Sequence, residues 1–411
     1  MTQQTAESPA RPDSPYAWRR LGLSVLSATV LSVGIWATVL VMPQIQADFA
    51  ISRAEAAFAY TLAMSGFALG NFLLGRGVDR YGIAPIMAFC ALLASSCFAL
   101  STVMPSYWPV ALLQFPIGLA SAAAFGPLMA DISHFFRRYR GIAVAATACG
   151  NYLAGSFWPL VLKAPIAENG WRFGFLIIAV AGLVVILPIA RLLRNQPGGH
   201  SQKPAFEPPA KVISLSSGQL TALLMIAGFG CCMAMAMPQV HIVAYCVDLG
   251  FGSGVGAEML AIMLGAGIPS RLLSGYLADR FGGVPMLLVN SVLQCLALFL
   301  YIPFNGIVSL YVVSLVFGLS QGGLVPSYAI IVREYLPAEE AGRRIGFVLL
   351  ATVLGMAAGG WASGYIYDLT GSYRMAFIHG IAWNLINMSI AAFVLVQSRP
   401  SRPDRTMAAA E

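Results

Sequence analysis

Long uncharged apolar runs alternate with short polar breaks along most of the chain. From 81 to 130, and again from 281 to 332, the sequence has no Asp, Glu, Lys, Arg or His. Each run is interrupted once, at Pro105–Pro109 and at Pro303–Gly306, which leaves segments of about 20–25 residues. Since about 20 apolar residues form a helix that crosses a hydrocarbon core of about 30 Å, each run predicts a hairpin of two membrane spans.

The same pattern over the whole chain predicts an all-α membrane protein with twelve spans. These cover 20–43, 55–77, 84–104, 108–132, 141–163, 172–193, 219–246, 256–278, 284–303, 307–333, 344–367 and 374–397. The segment 195–218 is rich in Pro, Gly, Ser and Lys, and predicts a polar linker. We therefore expect a tail over 1–19, six-helix bundles over 20–194 and 219–397 around a central cavity, and a second tail over 398–411.

Composition and charge agree with a membrane protein. The chain is 58% hydrophobic and 10% charged, whereas a soluble domain is about 25% charged. Nineteen of the 24 Lys and Arg residues fall on the side that holds the termini and the linker, and four on the other side. The positive-inside rule then places both termini in the cytoplasm of a plasma membrane, the inner membrane in a bacterium. Because this asymmetry accounts for the net charge of +7, we expect no nucleic-acid partner.

The remaining chemistry indicates no enzyme and no cofactor. All seven cysteines lie in apolar segments without metal-ligand spacing, so they are expected to pack as small hydrophobic residues. The spans contain no acidic pair and no Ser-His-Asp set. The polar, proline-rich segment before residue 20 lacks the pattern of a cleaved signal. We expect a monomer without metal or cofactor.

Two halves of the chain repeat each other at a spacing of about 200 residues. "GRGVDRYGIAP", Gly75–Pro85, returns as "GYLADRFGGVP", Gly275–Pro285, and Gly118 is matched by Gly318. Parallel repeats of six spans are typical of transporters whose substrate site lies between the halves.

The repeated phrase ends spans 2 and 8 at the predicted cytoplasmic boundary. Its glycines would let a neighbouring helix approach closely, and its charges would contact helix ends or basic loops. We expect a pair of conformational latches, formed by Gly75, Asp79, Arg80, Gly275, Asp279 and Arg280.

The duplicated G-x-x-x-D-R-x-G resembles the signature loop of the major facilitator superfamily. Within it, "DSPYAW" (Asp13–Trp18) before span 1 and "FFRRYRGIAVAATACG" (Phe135–Gly150) before span 5 resemble the monocarboxylate transporter group, although Ser14-Pro15 replaces two glycines. "NGWRFGF" and "MPQVHIVAYCVDLGF" resemble bacterial relatives, including the oxalate:formate exchanger. The resemblance implies a carrier that works by rocker-switch alternating access.

Arg271 is the outstanding candidate for binding substrate. It lies eight residues before Asp279, and therefore about 12 Å inside the membrane boundary. A charge at this depth is energetically costly and indicates a functional site, unless the side chain reaches the membrane surface. Its planar guanidinium suits a carboxylate. The resemblance agrees, because Arg271-Leu-Leu-Ser-Gly275 matches the R-x-x-x-G of span 8 in monocarboxylate transporters. In animal members an Asp lies one turn earlier and is implicated in proton coupling, but the residue here is Gly267.

No Asp or Glu lies in the middle of a span, so His241 is the alternative titrating group, or else a packing residue. Further polar side chains are equally candidates for substrate contact and for bonds between helices. They are Tyr328, Tyr245, Gln321, Asn151, Tyr152 and Gln114.

One buried cation favours one carboxylate, because the second cation that the oxalate exchanger uses in span 11 is absent here. The predicted function is secondary transport of small organic anions, most of all monocarboxylates, with proton coupling left open. The alternatives are a drug or metabolite exporter, an oxalate/formate-type exchanger, and a transporter-like sensor.

Overall fold

The computed structural model describes residues 12–194 and 212–399, and nearly all of this chain is helical. The predicted all-α class is confirmed. The α-helices are α1 Pro15–Leu31, α2 Val33–Phe49, α3 Arg53–Tyr81, α4 Ile83–Ser101, α5 Tyr107–Ser121, α6 Gly126–Ser133, α7 Arg140–Leu192, α8 Ser217–Asp248, α9 Ser253–Phe281, α10 Gly283–Leu300, α11 Ile307–Gln321, α12 Leu324–Tyr335, α13 Ala338–Thr370 and α14 Arg374–Gln397.

Within the described ranges, eleven helical stretches are long and apolar enough to cross a membrane. One of them, α7, has 53 residues, or about 80 Å of helix, which is enough for two spans. It changes direction at Gly170, whose φ of 81° lies in the left-handed region that favours glycine. The predicted spans 5 and 6 are therefore joined without an intervening loop.

Three spans are broken. The first divides at Ser32 into α1 and α2. The fourth divides into α5, a 3-10 turn over Ala122–Ala124, and α6. The tenth divides at Gly322 and Gly323 into α11 and α12. Spans 4 and 10 are equivalent in the two repeats, so both halves have a discontinuous helix at the same place.

The ends of the predicted segments need correction. Helix α1 begins at Pro15 rather than at 20, because Ser14 accepts a hydrogen bond from Ala17 N and caps it. Strands of two residues, β1 Val212–Ile213 and β2 Ser398–Arg399, pair antiparallel next to the helical bundle. Most of the predicted linker over 195–218 lies outside the described residues, as do most of the predicted tails over 1–19 and 398–411; the residues not described are 1–11, 195–211 and 400–411. The bundle boundaries stay a prediction.

Glycine allows two helices of the first half to touch. A Cβ added to Gly118 would lie 1.8 Å from the carbonyl oxygen of Ala63, and one added to Gly66 would lie 1.9 Å from that of Phe115. Since no real side chain fits at these distances, α3 and α5 pack backbone to backbone.

The two segments that resemble the monocarboxylate transporters meet at one end of the bundle. The Asp13 carboxylate accepts the backbone N–H groups of Arg137, Arg138 and Tyr139 at 3.2, 3.1 and 3.3 Å. The Asp13 N–H in turn donates to Phe135 O at 3.0 Å. Asp13 thus ties the start of span 1 to the turn before span 5.

These hydrogen bonds, first of all that from Arg138, hold the pKa of the Asp13 carboxyl below its ordinary value. A lowered pKa stabilises the fold above the ordinary value of about 3.9, and the effect is lost as pH falls through the folded-state value. We expect Asp13→Asn to lower the melting temperature by at most about 4 °C, equally at pH 7 and pH 5. Differential scanning fluorimetry of the purified protein measures this; a difference that grows from pH 7 to pH 5 would contradict it.

A buried ion pair lies next to this anchor. The Arg20 guanidinium contacts both carboxylate oxygens of Asp131 at 2.9–3.1 Å and lies over the Phe135 ring at 4.2 Å. Asp131, which the sequence placed at a span end, therefore fastens α6 to α1.

Candidate substrate site

Successive spans run in opposite directions, so their ends lie at two faces. The linker end is the face that contains residues 13, 194, 212 and 399, together with the ends of α3 and α9. The opposite end contains residues 48–53, 248–253 and 368–374.

Arg271 lies between the two halves of the chain, on α9. Its Nη1 donates to Ala148 O on α7 at 3.0 Å, and its Nε donates to Gly322 O at the break between α11 and α12 at 3.4 Å. The guanidinium carbon lies 4.2 Å above the centre of the Tyr152 ring. The side chain is half-buried.

All of these contacts with Arg271 are neutral. Among the described residues, no carboxylate forms an ion pair with it. The Arg271 charge lies ten residues, or about 15 Å, from the end of α9. Backbone dipoles and an aromatic face surround it, but no counter-charge among the described residues does. This arrangement favours an anion as the missing partner.

Tyr152 occupies the space that an acidic residue would need. A Cβ added to Gly267 would lie 3.0–3.4 Å from three atoms of the Tyr152 ring. The ring is buried against α9 one turn from Arg271 and forms the floor under its guanidinium. Glycine at 267 therefore gives room to the tyrosine.

Asn71 is the repeat-related counterpart of Arg271. Its Oδ1 accepts the Gly126 N–H at 3.2 Å, at the break in span 4, and its Nδ2 donates to Phe67 O at 2.9 Å. Each half thus has a polar side chain at the same position, bonded to the backbone of its broken helix. Only the second half has a charge there.

Asn151 neighbours this site but is engaged by the protein. Its Oδ1 accepts the Trp36 Nε1–H at 3.0 Å, and Trp36 also lies against Gly155. Of the predicted site residues, the structure brings Tyr152 and Asn151 close to Arg271.

Two other predicted residues, Tyr328 and Gln321, form bonds between helices, and a third, Gln114, bonds within its own helix α5. Tyr328 is fully buried and donates to Asn387 Oδ1 at 2.8 Å. Gln321 accepts from Gln239 and donates to Met263 O at 3.3 Å. Gln114 donates to Val110 O at 3.2 Å, while its buried Oε1 has no partner among the described residues.

His241 and Tyr245 lie toward the opposite end. Gly256 on α9 packs against Val243 on α8, which sets the relative height of the two helices. Counting from that level at about 1.5 Å per residue, Arg271 and His241 are separated by roughly 20 Å along the bundle. A small acid held by Arg271 cannot touch His241 in this conformation.

Sequence reasoning missed the polar network that closes the opposite end. Arg53 Nη1 donates to the Tyr373 hydroxyl at 2.7 Å, and Nη2 pairs with Asp248 at 3.0 Å. The backbone N–H groups of Arg53 and Ala54 both donate to the Asp368 carboxylate, at 2.9 and 2.7 Å. Arg53 is one of only four basic residues predicted on that side of the membrane, and this rarity is the signal that could have identified it.

The charged latch residues face solvent in this conformation. Asp79, Arg80, Asp279 and Arg280 are exposed. A Cβ added to Gly75 or Gly275 would meet nothing within 4 Å, so the predicted close helix approach at these two glycines is wrong for this state.

The last glycine of each phrase has a clear role. Gly82 and Gly282 have φ of 82° and 91°, a region that other residues rarely adopt, and each ends one helix where the next begins. The sharp turns after spans 2 and 8 therefore require glycine.

The repeated bundle and the arginine between its halves define the class of a multi-span membrane transporter, not an enzyme. The family model for the Major Facilitator Superfamily matches residues 24–314 and 255–410. The chain belongs to the major facilitator superfamily.

Two relatives and one solved structure agree with this assignment. The human "Monocarboxylate transporter 11" is 25% identical over 399 residues, covering 92% of this chain and 83% of the relative. The "MFS transporter asaE" of Aspergillus flavus is 24% identical over 327 residues, covering 77% and 72%. A bacterial homologue of the human lysosomal transporter Spinster, solved inward-facing and occupied, superposes with a TM-score of 0.74 at 14% identity over 94% of this chain and 97% of that chain. That structure supports the fold alone.

Proposed function

We propose that this transporter carries small monocarboxylates, with Arg271 as the group that binds the carboxylate. The observation that carries the proposal is an arginine inside the bundle whose contacts in the described part of the chain are all with uncharged groups. The similarity to human monocarboxylate transporter 11 supports the same substrate class.

Arg271 can bind its substrate by exchanging partners. The carbonyls of Ala148 and Gly322 accept from the guanidinium in the absence of an anion. A carboxylate binds the same N–H groups about twice as strongly, because the acceptor is charged and matches the planar fork. Since Ala148 belongs to the first half and Gly322 to the second, the exchange also removes a bond between the halves and favours their relative motion.

The number of buried cations favours one carboxylate per substrate. In span 11, the described part of α13 after Arg344 contains Asp368 as its charged residue and no further cation. A dicarboxylate in this site would leave its second charge without a partner, which is costly in a low-dielectric cavity.

The groups that contact Arg271 also bear on how a proton could be coupled to transport. Among the described residues, no Asp or Glu contacts Arg271 to take up a proton, so we propose that any proton moves with the substrate or through a distant group. We further propose that the protein acts as a monomer in a plasma membrane, with the linker end in the cytoplasm.

Uptake into proteoliposomes tests the proposal. We expect a labelled panel of C2–C6 monocarboxylates to accumulate or exchange, with competition among its members, and oxalate and larger organic cations to be transported at least about 10-fold more slowly. Vesicles without protein are the control. Efflux of large uncharged metabolites without monocarboxylate transport would overturn the proposal and favour the exporter alternative.

A further inference from the structure

A continuous chain of hydrogen bonds leads from the opposite end of the bundle to a buried histidine. His241 is fully buried on α8, with Nε2 at 2.7 Å from Gly360 O and Nδ1 at 2.9 Å from the Tyr373 hydroxyl. Tyr373 accepts from Arg53, and Arg53 pairs with Asp248. The hydrogen bonds connect α3 in the first half with α8, α13 and the residue that caps α14 in the second.

The partners determine the protonation state of His241. A carbonyl oxygen only accepts, so Nε2 must carry the hydrogen that points at Gly360. The Tyr373 oxygen receives a hydrogen from Arg53, which leaves its own hydrogen for Nδ1. Nδ1 is therefore an acceptor, and every bond in the chain is formed only when the imidazole is neutral.

A proton on Nδ1 conflicts with this arrangement. The Tyr373 oxygen would then face two donors, His241 and Arg53, and its own hydrogen would lose its acceptor. Two cations would also share one phenol in a buried site. The titratable groups that face His241 from the packed helices are Arg53, Tyr373, Asp248, Asp368, Tyr367 and Tyr245.

The two acids do not neutralise a second positive charge. Asp248 accepts from the Arg53 side chain, and Asp368 accepts two backbone N–H groups at the start of α3. Neither carboxylate contacts the imidazole. Protonation therefore adds charge to a network whose acidic groups are already in use.

Close packing around the chain makes it part of a gate. A Cβ on Gly360 would lie 3.0 Å from the Tyr60 ring, and one on Gly364 would lie 2.9 Å from Arg53 O. Thr61 also donates to Ala357 O at 2.8 Å. The opposite end can open only if α3 separates from α13 and the bonds of Arg53 break.

We propose that His241 is the proton-sensitive element of the gate at the opposite end, which holds the halves closed there while the imidazole is neutral and opens when it takes up a proton. Such a gate would regulate the proposed carrier, whichever substrate that carrier takes. With the linker end in the cytoplasm, as proposed above, acid outside the cell would favour the outward-facing state and increase uptake.

Distances across the gate test this without substrate. The full-length protein in lipid nanodiscs is spin-labelled at Ala47→Cys and Ser372→Cys, two exposed positions at the opposite end outside the network. Among the native cysteines, six are buried and Cys295 is half-buried, so labels attach mainly to the introduced pair. Between about pH 8 and about pH 5, we expect the ratio of long to short distances to rise at least about 5-fold.

Matched variants separate the gate from the substrate site. His241→Gln keeps a donor toward Gly360 but takes no proton, so its distance ratio should not change with pH, whereas the control His379→Gln should respond like the parent. Tyr373→Phe should raise the open fraction at both pH values.

Arg271→Ala should abolish transport yet keep the pH response, which distinguishes failure of the proposed function from failure of the gate. The inference is wrong if His241→Gln opens between about pH 8 and about pH 5 as much as the parent does. It is also wrong if the parent keeps the closed distances at every pH.

Discussion

Arg271→Ala is expected to reduce monocarboxylate transport at least about 100-fold. Two charge-assisted hydrogen bonds at about 1.5–3 kcal/mol each are lost with the guanidinium, and each 1.4 kcal/mol is a factor of ten in affinity. Arg271→Lys should lose about 10-fold or more, because lysine keeps the charge but not the planar pair of donors. Initial rates of labelled uptake into proteoliposomes measure both variants.

The loss should arise from binding, not from folding. Arg271 bonds two carbonyls and one ring, so its removal leaves no buried carboxylate unpaired. We expect a melting temperature close to that of the parent and no thermal shift on adding substrate. Arg172→Ala, at an exposed ion pair of the opposite end, is the control and should transport normally. Normal organic-anion transport by Arg271→Ala would contradict the proposed role.

The fold could be predicted from the sequence because the membrane constrains it strongly. Uncharged runs fix the spans, and the 200-residue repeat fixes the relation of the halves. What escaped prediction depends on details of the backbone. The expected loop between spans 5 and 6 is reduced to a kink at Gly170, and α1 starts at Pro15 because Ser14 caps it. Neither event changes the hydrophobic pattern.

The candidate site could be predicted only where a residue was chemically exceptional. Arg271 was recognisable because a charge in a span is rare. Tyr328 and Gln321 were not separable from structural residues, since a polar side chain that bonds another helix looks the same in sequence as one that binds a ligand. The Gly267–Tyr152 contact was invisible, because it depends on the distance between α7 and α9.

Arg53 shows why the gate was missed. Its partners Asp248, Asp368 and Tyr373 are 195–320 positions away in sequence and belong to three elements of the other half. Each of these residues alone is an ordinary charge or phenol at the end of a span. Their meaning comes only from the packing of α3 against the second half.

The gate at the opposite end and the twin phrases at the linker end should act against each other. Here the Arg53 network is formed while Asp79 and Asp279 are exposed, as expected if only one end is closed at a time. Closure of the linker end would bring the two phrases against neighbouring helices. Their carboxylates would then gain partners that they lack in this conformation among the described residues.

Asp79→Asn and Asp279→Asn are therefore expected to shift the population toward the conformation described here. A coupling of about 1–3 kcal/mol per latch changes the ratio of the two states about 5–150-fold. Distance measurements between labels at the two phrases should report more open linker ends in both variants. The order of substrate preference should not change, because each Asp lies roughly 12 Å along its helix from the depth of Arg271. Combining Asp279→Asn with Tyr373→Phe, which loosens the other end, should bring the ratio back toward that of the parent. A reordered substrate preference with unchanged distances would place these phrases in the substrate site instead.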